Sequence, residues 1–158
     1  MCIRDRIEDD LKEGVAAAEG TPLATMLSSA HATRILSEVA RVERRRADLE
    51  TLLVRSEFDL DRAHARVREL ERSPTPRVHA LATARLHLDN VLRLHALREA
   101  DERALDDLGA LVSALRTQLV LARFSGASAE GVGGLVQEVW ARVEGLSEAM
   151  EDVSAVID

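Results

Sequence analysis

Five histidines, His31, His64, His79, His87 and His95, are the side chains best suited to holding a metal ion. Imidazoles on one helix converge only at three- or four-residue spacing. His79, His87 and His95 stand eight apart, so each is rotated by about 80° from the last. The one Asp/Glu-x-x-His, Asp61-Arg62-Ala63-His64, is half of what a carboxylate-bridged di-iron bundle requires, because that motif must come from two helices. No metal site is expected.

Nucleophilic chemistry has as little to work with. There is no Gly-x-Ser-x-Gly, and the single thiol is Cys2, too few for a disulfide or a thiolate cluster. Gly126, Gly131, Gly133 and Gly134 open a helical stretch. They lack the Gly-Lys-Ser/Thr ending of a phosphate cradle, and no strand leads into them. No catalytic residue and no cofactor are assigned, and the chain is expected not to be an enzyme.

The arginines Arg41, Arg44, Arg45 and Arg46 could contact phosphates, but Glu43 and Asp48 dilute them and no aromatic residue accompanies them. The chain carries a net charge of −7, from 28 acidic and 21 basic residues. That balance disfavours nucleic acid and anionic lipid surfaces as partners.

The elements that would position these residues are helices. Leu, Ala and Val dominate the apolar set, Tyr is absent, and there are two Phe and one Trp among 158 residues. Helix-on-helix packing runs on aliphatic side chains alone, whereas compact mixed folds lean on rings. Pro22, Pro74 and Pro76 are the only prolines, which leaves long stretches without a breaker. No apolar run reaches the ~18 residues of a membrane span, and no secretory signal pattern opens the chain. A cytoplasmic location is expected.

The first six residues, Met1-Cys2-Ile3-Arg4-Asp5-Arg6, read as the translation of a sequencing adapter, a non-native segment. Residues 7–20 form a short helix or the remnant of a longer one, closed by Gly20. Residues 21–158 read as one elongated helical domain with helices at about 22–72, 77–124 and 129–157. The apolar pattern runs on to Ile157, so both ends are expected to be cut.

The first long helix has a countable seam. Ala32, Ile35, Val39, Val42, Arg46, Leu49, Leu53, Ser56, Leu60, Ala63, Val67 and Leu70 alternate by three and four residues, which is the coiled-coil heptad. Thr21-Pro22 and Thr75-Pro76 read as helix starts, with Thr as cap and Pro at the first helical position. In the second helix the apolar register slips across a polar belt at Arg98–Arg103. Ser125-Gly126-Ala127-Ser128 is a turn, with Ser128 capping the last helix.

A short loop at 73–76 makes the first two helices antiparallel neighbours. Arg41, Arg44, Arg45 and Arg46 then lie near Asp101, Glu102, Asp106 and Asp107 as a structural polar belt, and Ser56 near His95. The third helix packs back along the second, giving three helices at one end and two at the Pro74 tip. Its stripe, Val132, Val136, Val139, Val143, Leu146, Met150, Val153 and Ile157, is a candidate partner-facing surface.

The fold class is therefore all-α: a long antiparallel, coiled-coil-like hairpin whose third helix packs back into a three-helix bundle at one end. The function expected is a non-catalytic coiled-coil or bundle protein, serving self-association as a homo-oligomer or docking a protein partner. A membrane-remodelling or stress-response hairpin is one alternative, and the helical region of a larger truncated enzyme or sensor is another.

Overall fold

The computed structural model describes the backbone of residues 2–126 and 129–157 and the side chains of residues 2–126 and 131–149. Among these the chain is all-α, as the periodicity requires. Its helices are α1 (Ile3–Ala18), α2 (Ser29–Leu53), α3 (Leu60–Arg72), α4 (Val78–Ser125) and α5 (Ala129–Ile157). Short 3-10 turns occupy Pro22–Thr25 and Ser56–Phe58. The chain divides into two compact units, residues 1–43 with 103–158, and residues 44–102.

In the first unit α1, the start of α2, the end of α4, and α5 enclose one aliphatic core. Ile7, Leu11, Ile35, Val39, Leu108, Leu115, Leu119, Val132 and Val139 are among its buried members, and none of the buried members is aromatic. The segment read as a remnant is a full member of this bundle, and its helix begins at Ile3, earlier than expected. Two glycines let α1 come close. A methyl group on Gly14 would stand 3.3 Å from both Leu119 Cδ1 and Leu27 Cδ2, and one on Gly109 would stand 3.1 Å from Ile3 Cδ1. Polar contacts reinforce the seat: Arg116 donates to the buried Asp10 at 2.7 Å, and Arg123 donates to the Ala16 carbonyl at 2.8 Å. That carbonyl is one of those a helix end leaves unsatisfied. Gly20, at φ +74°, supplies the left-handed turn that ends the segment.

The start of the second segment differs from expectation. Thr21 Oγ1 accepts from the Leu23 N–H at 3.2 Å, but this caps only the 3-10 turn. Helix α2 begins at Ser29 behind a reciprocal cap. Ser28 Oγ accepts from the His31 N–H at 3.3 Å, and His31 Nδ1 accepts from the Ser28 N–H at 3.2 Å. This is a capping box with imidazole standing where Glu or Gln usually serves.

In the second unit the expected continuous helix over 22–72 is interrupted between Leu53 and Leu60. Arg55 and Asp59 adopt extended backbone, with ψ of 142° and 121°. Asp59 Oδ1 then accepts from the Arg62 N–H at 2.7 Å and caps α3. Asp side chains offer the backbone local hydrogen bonds that compete with the helix, and here the competition wins at Asp59. Heptad counting cannot see this, because Leu53 and Leu60 keep seam spacing on either side of the gap. Beyond it, α3 buries Ala63, Val67 and Leu70, and α4 packs against α3 with Val91 buried.

The seam of α4 corrects a second expectation. One register runs through Leu81, Ala84, Leu88 and Val91. A second runs through Val91, Leu94, Arg98, Asp101, Leu105, Leu108, Val112, Leu115, Leu119 and Ala122. They meet at Val91 through two successive three-residue steps, the local overwinding known as a stammer. The polar residues do not interrupt the seam; they occupy it. Arg98 is half-buried and Asp101 is 3% exposed.

Two outcomes test this architecture. Gly14→Val should cost about 1–3 kcal/mol by overpacking the contact with Leu119 and Leu27, read as a lower urea midpoint. Asp59→Ala should cost about 1 kcal/mol through loss of the α3 cap, with Asp59→Asn retaining most of it.

Candidate functional site

The polar groups with the most specific geometry lie in the second unit, where the end of α2 meets α4. Arg45 Nε donates to Asp101 Oδ2 at 2.8 Å, and Arg45 Nη2 donates to Asp101 Oδ1. Such two-pronged guanidinium–carboxylate pairs are the strongest and most directional ion pairs in proteins. Side-chain exposure is 16% for Arg45 and 5% for Asp101. The seam positions nearest in register add Arg46 and Arg98, whose Nε atoms are buried without a hydrogen-bond partner. The result is a layer rich in guanidinium inside an otherwise aliphatic seam. Both oxygens of Asp101 accept from Arg45, so the carboxylate is spent on orientation and is not held ready as a base.

The eight residues expected to form a polar belt are only partly brought together. Arg45 and Asp101 meet, about one turn from the register that the loop implies. Arg46 sits on the seam. Arg41 turns to Glu38 on its own helix at 3.0 Å, and Asp107 faces Arg142 of α5 at 3.8 Å. Arg44, Glu102 and Asp106 are exposed. Ser56 was expected near His95, but the histidine beside that stretch is His87. Its Nε2 lies 2.9 Å from the Glu57 carbonyl, and its ring lies 6.5 Å from that of Phe58. The interruption before α3 explains the shift: extended residues advance about 3.3 Å each against 1.5 Å in a helix, carrying the chain further along α4.

The stripe on α5 is turned inward. Val132, Val139, Val143 and Leu146 are buried in the first unit's own core, and Val136 packs against it. These five are covered by the chain itself and are not open to a partner. The Met150, Val153 and Ile157 side chains, and the Ser128 cap, lie outside the described residues.

Sequence reasoning missed one further cluster in the first unit. The Trp140 ring lies edge-on to His31 with centroids 5.6 Å apart, and Arg34 stacks over the indole with its guanidinium carbon 5.1 Å from the centroid. A guanidinium over Trp gains from the ring quadrupole. The three-residue step from His31 to Arg34 was the available signal, since it puts both on one face of α2. On the outer face of α1, Lys12 lies 2.7 Å from Glu8. The hydrogen bond and charge of its ammonium hold the Glu8 carboxyl below its ordinary range, and Glu8 raises Lys12 in return.

Of the other histidines, His64 and His79 are exposed and His95 is half-buried. Among the described residues no group of three His, Cys, Asp or Glu side chains is placed to hold a metal ion. Likewise, no described helix is long and apolar enough to cross a membrane. A surface furrow in the second unit runs between the exposed side chains of Arg66, Glu69, Arg72 and Arg77. The chain matches no family model, no curated protein and no solved structure.

The polar layer generates a double-mutant test. Arg45→Leu alone strands a buried carboxylate and should cost about 3 kcal/mol or more, whereas Arg45→Leu with Asp101→Leu should cost far less. Chemical denaturation of the two variants and the parent measures the coupling.

Proposed function

We propose that the protein is a non-catalytic helical bundle that works by presenting helix faces to another helix, in a second copy or in a partner protein. A cytoplasmic setting belongs to the same proposal. The reading is carried by one observation: α4 holds large apolar side chains in water at both of its ends. In the first unit Leu121 is 52% exposed and Phe124 is 84% exposed, one turn apart on the same helix. In the second unit Val78 is 71% and Leu86 is 60% exposed. Solitary exposed residues such as Val78 and Leu86 are ordinary, but Leu121 and Phe124, three residues apart and both open to water, form a small apolar patch of the kind that marks a contact surface. The acidic balance of the chain favours protein over nucleic acid as the occupant.

Photocrosslinking tests the reading directly. A benzophenone amino acid placed at Phe124 or at Leu86 should trap a polypeptide on irradiation in cells expressing the chain. Mass spectrometry then tells a second copy from another protein. If neither position yields a crosslinked species, helix docking is the wrong reading.

A further inference from the structure

Helix α4 carries a second heptad about 100° around its axis from the seam that faces α3, with Arg85 at its edge reaching Glu71 of α3. Val78, Ala82, Arg85, Asp89, Leu92 and Ala96 follow steps of four, three, four, three and four, and all six are exposed. The inward register, Leu81, Ala84, Leu88 and Val91, is half-buried to buried. One helix thus bears two seams on different faces, and only one is covered within the second unit. A helix apolar on more than one face calls for more than one neighbour.

The order of residues along the outer seam says which neighbour. Read toward and away from its midpoint near residue 87, it is its own complement in the antiparallel sense. Val78 matches Ala96, Ala82 matches Leu92, and Arg85 matches Asp89. Two copies laid antiparallel across a two-fold axis would set each Arg85 against the partner's Asp89, twice, with small-to-large apolar pairs outside them. A parallel in-register pair would instead set Arg85 on Arg85 and Asp89 on Asp89, which is repulsive. Closed two-fold interfaces have this self-complementarity by construction. The charges are available: Arg85 and Asp89 are 59% and 53% exposed, and their present partners are Glu71 at 2.9 Å and Arg93 at 3.1 Å. Exposed pairs of that kind hold their geometry weakly.

We infer that this chain forms an antiparallel homodimer through the outer face of α4 between Val78 and Ala96. The inference rests on the helix-docking reading and narrows it to one face and one occupant. The seam covers about 28 Å of helix, short for an obligate contact, so association is expected in the micromolar range.

Sedimentation equilibrium of the full chain up to about 50 µM tests the pairing. The parent chain should dimerise, and Leu92→Arg should weaken association at least tenfold with helicity unchanged. Arg85→Asp and Asp89→Arg should each weaken it about fivefold, since both cross-pairs become like-charged. An equimolar mixture of those two variants should recover the parental affinity, because the heterodimer restores both pairs. That arm does not depend on Leu92→Arg folding well. Dimerisation indifferent to Leu92→Arg, or a mixture no tighter than either variant, overturns this interface and leaves helix docking through another face intact. A chain that stays monomeric overturns the dimer, and crosslinking from Phe124 then decides the docking reading on its own.

Discussion

Close approach between helices lined with Leu, Val, Ile and Ala is the constraint on which everything else depends. Aliphatic side chains bury less area apiece than rings, so they must be numerous and near. Helix α4 supplies the number, with Leu105, Leu108, Val112, Leu115 and Leu119 each at most 1% exposed. Each such burial contributes roughly 1.5–3 kcal/mol against the exposed state. Gly14 and Gly109 supply the nearness, at the two places where α1 lies on its neighbours. The rings stand aside: Phe124 is in solvent, and Phe58 and Trp140 are half-buried.

An aliphatic heptad has a weakness, which is that sliding by seven residues matches it almost as well. The layer at Arg45, Arg46, Arg98 and Asp101 answers that weakness. Well-packed apolar side chains there would give equal or greater stability. What the ion pair adds is a single height at which the end of α2 fits α4, because any other register strands a desolvated charge. In the first unit, Asp10 and Arg116 do the same for α1.

The helical class, the break at Ser73–Arg77 and the turn at Gly126 were legible because each rests on local chemistry or a strict period. The height of the charged layer was legible to about one turn for the same reason. Other features were not, three of them in the helical seams. The interruption at Ser56–Asp59 hid behind seam residues that keep their spacing across it. The continuity of the α4 seam hid because Arg98 and Asp101 do not look apolar, though they take apolar positions. The inward turn of the α5 stripe depended on α1, whose short pattern of Ile7, Leu11 and Ala18 gave little warning that a fourth helix would share the core. The last two come from tertiary partners that a one-dimensional count does not weigh, and the first from a local cap at Asp59.

The setting of the indole has a practical consequence. Trp140 is the chain's one tryptophan and there is no tyrosine, so near-ultraviolet emission arises almost wholly from the α2–α5 contact in the first unit. Residues 44–102 are optically dark apart from Phe58, while they contribute fully to far-ultraviolet ellipticity. Emission therefore reports on the first unit alone, and ellipticity on the helices of both. The offset between their melting curves is an intrinsic gauge of how cooperatively the halves unfold, with no label added.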